Sequence, residues 1–518
     1  MANRPRALTL AAWAVSGVLA ALVLGTALAL ALRADRFSLR PAEWAALGFT
    51  LKQAALSALL SGLLAIPTAR ALHRRRFPGR GAMVALIGAP FLLPTVVAVI
   101  GMLAVYGRNG IANQTLALLH LAPFPIFGLQ GVVLCNLFFN LPLATRMLLN
   151  GWQAIPAERF RLAETLRLPA ASQFRHLEIP LLRAVLPGAC ATVFLLCLGS
   201  FVIALTFGGG PKATTLELAI YQALRFDFDL GRAALLAALQ ASICAIAVVL
   251  TYRLTQPTAL GAGLDRPILM AAPQGVRRWT DATTLSLAAL FLALPMALII
   301  RDGLPALTSL PAAIWAAALR SVLMALTSAG IASAAALTLA LATASASASP
   351  AARWFELSAM LQMAVSGLVL GTGLFLILRP VVQPETLALP VTVFVNAAMA
   401  LPFVYRLILP EARDLHSNYD RLATTLNLHG ITRLRRVTLP RLARPLGLGT
   451  GIAAALSMGD LGVIALFAGD QNATLPLLIQ RLAGAYRMDQ AAAASLLLVT
   501  LSFALFAAFD TGGRHAAP

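Results

Sequence analysis

Long apolar stretches, interrupted by arginine, proline and polar turns, set the pattern of the chain. They run approximately Leu8–Leu32, Ala54–Ala69, Met83–Tyr106, Phe127–Leu149, Ala184–Phe207, Ala233–Tyr252, Leu285–Ile300, Val322–Ala342, Phe355–Leu378, Leu387–Leu409, Leu446–Phe467 and Ala491–Phe509. An α-helix needs about 20 apolar residues to cross the hydrocarbon core of a bilayer, and these Leu/Ala-rich runs are too long for strands of a barrel. The pattern predicts an all-α, polytopic membrane protein with about a dozen spans. Leu8–Leu32 also exceeds the roughly 7–15 residues of a signal-peptide core, so it reads as a retained first span.

A repeat organises these spans. Leu141-Pro142 with Arg146 recurs as Leu401-Pro402 with Arg406, a shift of 260 residues. The same shift relates Arg161-Leu162-Ala163 to Arg421-Leu422-Ala423, Leu166 to Leu426, Leu168 to Leu428 and Pro180 to Pro440. It also relates Gly199, Phe207, Gly209, Thr214 and Asp229 to Gly459, Phe467, Gly469, Thr474 and Asp489. Such extended self-similarity predicts two copies of one unit. Equivalent basic loops face the same side only if an even number of crossings separates them, so the halves are expected to be parallel, with about six spans each. The expected division is 1–252 and 281–518, joined by a cytosolic linker at 253–280 that contains Pro257, Gly261, Gly263 and Pro273.

Composition narrows the functional classes. Hydrophobic residues make up 59% of the chain and charged residues 12%, about half the charge of an ordinary soluble domain, which excludes a typical soluble enzyme. The balance of 40 Lys+Arg against 20 Asp+Glu gives +20. The arginines fall in short loops, where they orient helices instead of binding nucleic acid. An inside N-terminus puts Arg74–Arg80, Arg159–Arg183, Arg253–Arg278 and Arg413–Arg444 in the cytosol; Arg33, Arg36 and Arg40 run against the rule. Cys135, Cys190, Cys197 and Cys244 lie in apolar segments and read as small buried hydrophobes. The only lysines, Lys52 and Lys212, cannot complete a Gly-Lys-Ser/Thr phosphate loop. No histidine, cysteine or carboxylate cluster has metal-ligand spacing and no Ser/His/Asp set suggests catalysis, so neither a metal nor a catalytic site is expected.

Each half has one long cytosolic loop, at 158–180 and 418–440, patterned as short amphipathic helices. The first contains Arg161, Leu162, Ala163, Leu166, Arg167 and Leu168 and ends in Glu178-Ile179-Pro180. The second contains Arg421, Leu422, Ala423, Leu426, Asn427 and Leu428 and ends in Thr438-Leu439-Pro440. Leucines four apart share a helix face, which suits insertion into a groove on another protein. A basic membrane-surface helix is the alternative. These loops resemble the EAA loop of ABC importer permeases, whose coupling helix docks on the ATP-binding subunit. Arg161 and Arg421 stand where that family has Glu, and Arg167 and Asn427 where it has Gly. Asn enters the left-handed conformation readily and Arg poorly, so the first helix is expected to break at Pro169 instead.

Over nearly its full length the chain resembles the thiamine permeases of binding-protein-dependent ABC importers. The resemblance rests on His73–Arg80, Phe138–Pro142, Gly208–Pro211 running through Thr214 to Leu224, and Leu456–Phe467. It implies a fold like that of type I ABC importer permeases, and a role moving thiamine or its phosphates across the bacterial inner membrane. It further implies two copies of an ATP-binding subunit, which hold the ATP and Mg, a periplasmic thiamine-binding protein, and cytoplasmic termini. No cofactor is expected in this chain. A fused iron(III) permease shares the architecture, and a proton-driven secondary transporter can also have two parallel halves.

Along the path, Asp460 is placed within the eleventh span, at the position of Ser200 in the first half. A charge there is a functional candidate by default and could ease passage of the thiazolium cation. Asn140 and Asn396 are further path candidates, though an amide within a span better suits helix-to-helix hydrogen bonds. Pro94, Gly101, Ser366 and Gly373 mark the third and ninth spans as weakened or closely packed. Tyr221, Phe226 and Tyr486 are candidates for an outer gate.

Overall fold

Where the apolar stretches run unbroken they form helices, and the two halves repeat one order of elements. The computed structural model describes residues 6–34, 38–88, 93–153, 155, 157–208, 210–254, 275–346, 349–428, 430–469 and 471–516. Arg4, Arg36, Gly209, Arg266 and most of the linker lie outside the described residues. The first half contains α1 (Arg6–Arg33), α2 (Pro41–Arg74), α3 (Arg80–Gly88), α4 (Thr95–Tyr106), α5 (Ile111–Leu118) and α6 (Leu129–Gln153). It continues with α7 (Ala157–Thr165), α8 (Ala170–Gln173), α9 (Ile179–Leu198), α10 (Phe201–Phe207), α11 (Leu216–Arg225) and α12 (Leu230–Leu254). The second half contains α13 (Val276–Ala306), α14 (Ala312–Ser345), α15 (Pro350–Met360), α16 (Gly367–Leu378) and α17 (Ala388–Thr425). It ends with α18 (Gly430–Arg433), α19 (Leu439–Met458), α20 (Gly462–Phe467), α21 (Leu475–Gly484) and α22 (Met488–His515). Because α13 begins at Val276, the last residues of the expected linker are helical.

Among the described residues eleven helices are long and apolar enough to cross a membrane, and twelve spans result if α15 and α16, bent by 93°, count as one. Several stretches that read as continuous spans are discontinuous. The fifth breaks at Gly199-Ser200 between α9 and α10, and the eleventh at Gly459-Asp460 between α19 and α20. The ninth breaks just before Ser366, which caps α16 by accepting the Val369 amide. The third is divided between α3 and α4, and its spanning run extends beyond the expected range to Leu118.

A broken helix frees backbone groups that lipid cannot satisfy, so side chains must do so. At the first break Gln53 Nε2 donates to the Cys197 carbonyl at 2.8 Å, and Gln240 Nε2 donates to that of Leu198 at 2.9 Å. Asn136 Nδ2 in turn donates to Gln53 Oε1 at 2.8 Å.

The halves are joined by an exchange of helices. The first helix of the chain, α1, packs on α14, α15 and α16 of the second half, while α13 packs on α2, α3 and α4 of the first. The last helices repeat the exchange, α12 against α16 and α22 against α4. Ser358 Oγ donates to Ser16 Oγ at 2.9 Å across one of these contacts. Close approach is set by small residues, as is usual between membrane helices. A Cβ on Gly101 would lie 2.9 Å from the Pro295 carbonyl oxygen, and one on Gly373 would lie 2.5 Å from Thr26 Cβ. These glycines occupy corresponding places in α4 and α16. Gly101→Val and Gly373→Val should each destabilise the protein by about 1–3 kcal/mol through overpacking. Thermal unfolding in detergent would read this as a lowered midpoint, and an unchanged midpoint for both would contradict the exchange.

Candidate functional site: matched loops and the seam between halves

The two EAA-like loops end their helices identically. Arg167 has φ 49° and Asn427 φ 52°, both left-handed. The Leu168 amide donates to the Ala163 carbonyl at 2.9 Å, and the Leu428 amide to that of Ala423 at 2.9 Å. This is the six-to-one bond of a Schellman turn, which also favours an apolar contact between the same two positions. The expectation that the first helix breaks at Pro169 is therefore corrected. The turn's own hydrogen bond outweighs the reluctance of arginine, and Pro169 simply follows the stop.

That geometry reassigns the alanines. Ala163 and Ala423 are buried at 3% and 2% exposure, inside the turn, whereas Leu162, Leu166, Leu422 and Leu426 are 53–60% exposed. The alanines do not share the outward face, so an acid placed there would disrupt the turn itself. Arg161, Arg421, Arg167 and Asn427 are exposed, while Leu168 and Leu428 are half-buried. The helices that present these residues differ. α7 is a separate short helix, but its counterpart is the end of α17, a 38-residue helix running out of the membrane region. Pro156 stands just before α7, whereas the corresponding position in the second half is His416, which lets α17 continue.

After each turn the chain makes a π-helical turn, Phe174–Glu178 and Leu434–Thr438, before entering the membrane as α9 or α19. In the first half this turn is fastened to α2. Arg70 Nε donates to Glu178 Oε2 at 2.6 Å, Arg74 Nη2 donates to Oε1 at 2.9 Å, and the Arg70 guanidinium lies 4.4 Å from the Phe174 ring centroid. Thr438 occupies the place of Glu178 in the second half, where Arg433 pairs with Asp420 at 2.6 Å instead.

At the other end of the spans, α11 and α21 are held in matching ways. The Leu216 amide donates to Thr50 Oγ1 of α2, and the Leu475 amide to Ser321 Oγ of α14, both at 2.9 Å. Between them lies a cavity of about 250 Å³ lined by Tyr221, Gln222, Arg225, Phe226, Gln480, Arg481 and apolar neighbours. Tyr221 and Phe226, two of the three gate candidates, stand in its wall. Tyr486 is 91% exposed and does not line the cavity.

Below the cavity the broken spans meet. A Cβ on Gly459 would lie 3.1 Å from Pro94 Cα, and one on Gly199 would lie 3.9 Å from Ser366 Cβ, so each break touches the break in the other half. Asp460 sits in its break, not within a continuous helix; its carboxylate faces the start of α20 and the Asn396 side chain, and its Oδ2 has no hydrogen-bond partner. Ser200 Oγ donates to the Cys197 carbonyl at 2.9 Å. Asn140 Nδ2 of α6 donates to Cys197 Sγ of α9 at 3.3 Å, and Asn396 Nδ2 of α17 to Ser457 Oγ of α19 at 3.2 Å, which gives both amides a helix-holding task. One residue at this seam was not singled out from the sequence. Glu217 reads as part of an amphipathic segment, but it is 1% exposed.

Comparison with known proteins fits this architecture. No family model matches the chain. It is 39% identical to the thiamine transport system permease protein of Salmonella typhimurium over 483 residues, covering 91% of this chain and 90% of that protein. It is 38% identical to the protein of the same name from Brucella abortus over 505 residues, covering 95% and 93%. The chain belongs to the thiamine transport system permease family. The fused iron(III) and proton-driven alternatives give way to this membership. A molybdenum transport system permease protein of Azotobacter vinelandii matches 178 residues at 30% identity, 34% of this chain but 78% of its own length. The thiamine permease family thus shares one permease unit with a chain of about half the length.

The turn geometry yields a test. Arg167→Gly removes the Cβ strain of the left-handed position and should stabilise the protein by about 1 kcal/mol. Thermal unfolding in detergent should show a higher midpoint than wild type; a lower midpoint would mean that the turn does not need this conformation.

Proposed function

We propose that this chain is the membrane-spanning permease of an ATP-driven importer that carries thiamine, and its phosphates, across the bacterial inner membrane, with both termini cytoplasmic. Family membership supports the cargo, and the arginines of the loops support the orientation. The division at 1–252, 253–280 and 281–518 makes one chain equivalent to two half-permeases. It performs no hydrolysis itself: two copies of an ATP-binding subunit hold ATP and Mg, and a periplasmic thiamine-binding protein delivers the cargo to the opposite face.

The observation that carries this reading is the pair of matched helix ends, each presenting two exposed leucines beside arginine and fixed by the same turn. Leu162, Leu166, Leu422 and Leu426 enter clefts of the two ATP-binding subunits. Arg161, Arg167, Arg421 and Asn427 rim the contact, and Ala163, Ala423, Leu168 and Leu428 hold its shape. Closure of the ATP-binding subunits then moves the loops and the spans that follow them. Cargo passes along the seam, where Asp460 and Ser200 border the path, Asp460 lowers the electrostatic barrier for the thiazolium cation, and Asn140 and Asn396 hold the flanking helices.

Leu162→Asp combined with Leu422→Asp tests the docking. A buried anchor typically contributes about 2 kcal/mol, so the double variant should bind the ATP-binding subunits at least roughly 30-fold more weakly. ATP hydrolysis should lose its stimulation by the loaded binding protein. Normal stimulation would contradict the assignment.

A further inference from the structure

Glu217 and Asp460 occupy corresponding regions by different routes. The 260-residue shift that equates Ser200 with Asp460 equates Glu217 with Leu477. Each half therefore carries one acid where its broken span resumes. In the second half it is in the break itself, and in the first it reaches in from α11. The space over Gly199 accommodates it: a Cβ there would lie 3.7 Å from Glu217 Oε1.

No ion pair among the described residues includes either carboxylate. Glu217 Oε1 and Asp460 Oδ2 are each shielded and lack a hydrogen-bond partner. An unpaired carboxylate in a spanning region is costly, and such groups mark ion and substrate pathways. Glu217, nearly fully buried, faces the Phe201 backbone and the Ser366 side chain at the contact between the two halves.

Phe201 connects the acids with the cavity. Its ring lies 5.2 Å, centroid to centroid, from Tyr221 in the cavity wall. A Cβ on Gly462 would lie 3.9 Å from both Phe201 Cδ1 and Asp460 Oδ1, so the ring and the second acid flank the same glycine. Leu218 and Leu461, the neighbours of the two acids in sequence, line the cavity.

We infer that Glu217 and Asp460 form a two-carboxylate station for an organic cation at the seam, one acid from each half, with Phe201 between the station and the cavity. This rests on the thiamine reading and extends it: the missing counter-charge is the cargo's thiazolium, which is attracted to two carboxylates that no ion pair among the described residues engages. Two acids balance a single passing charge better than one, and placing them on opposite halves lets relative movement of the halves weaken the site for release.

The test uses the complete transporter in proteoliposomes, reading thiamine uptake and ATP hydrolysis together. Glu217→Gln should lower the thiamine moved per ATP hydrolysed roughly tenfold. Glu217→Leu should lower it further. Adding Ser200→Asp to Glu217→Leu gives the first half the layout of the second and should recover uptake to within about threefold of wild type. Wild-type uptake by Glu217→Gln would overturn the inference. So would failure of Ser200→Asp to rescue a Glu217→Leu protein whose unfolding midpoint is that of wild type, since a packing role would then suffice. If Glu217→Leu does not fold, the glutamine variant decides alone. A wild-type transporter that hydrolyses ATP in response to the binding protein yet takes up no thiamine would refute the cargo reading instead.

Discussion

Backbone amides and carbonyls cannot remain unsatisfied in lipid, and this constraint governs how the chain can contain broken helices at all. The breaks before Ser366, at Gly199-Ser200 and at Gly459-Asp460 are tolerable because the halves exchange helices around them. α1 and α12 cover α16, while α13 and α22 cover α4. Gln53 and Gln240 then satisfy the carbonyls freed at the end of α9. The same exchange brings the break of the fifth span against that of the ninth, and the break of the eleventh against that of the third, so these irregular stretches of backbone lie along one seam. That placement supports the proposed route for cargo through an apolar slab.

The ends of the spans divide the work. At the loop end, two Schellman turns present paired leucines outward, and π-helical turns lead directly into α9 and α19. These helices run to the breaks at the seam, which gives a short connection between the proposed docking surface and the proposed path. The two connections are not equivalent. Arg70 and Arg74 fasten the first loop to α2 through Glu178, a buried and charge-assisted contact. The second loop instead extends a helix that is continuous from the membrane region, so its stiffness comes from α17. One handle is tied and the other is rigid by construction.

Much of this was legible in the sequence, for identifiable reasons. Apolar length gave the spans, and the fixed shift between Arg161-Leu162-Ala163 and Arg421-Leu422-Ala423 exposed the duplication. Gly101 and Gly373 were recognisable as positions of close packing, though nothing local says that their neighbours come from the other half. Asn427 announces a left-handed turn, while Arg167 conceals one, because intrinsic preference is weaker than the hydrogen bond that closes the turn. That Ala163 and Ala423 lie inside their turns was not legible, because spacing alone cannot distinguish the inside of a turn from its outside. Glu217 was hidden because it stands in a short amphipathic segment, where a single acid reads as part of the polar face. The only signal was its replacement by Leu477 in the second copy. Breaks within spans were equally obscure, since glycine in a membrane helix marks close packing as often as interruption.

The central claim is that a duplicated membrane core, inert toward nucleotide by itself, is driven from one end by a separate motor. The most direct measurement is thiamine uptake into proteoliposomes containing this chain, first alone and then with ATP-binding subunits and binding protein, under imposed ion gradients or with ATP. Uptake should require the partners and ATP, and should survive collapse of the gradients by ionophores. Concentrative uptake by the chain alone, driven by a proton or sodium gradient, would contradict the account.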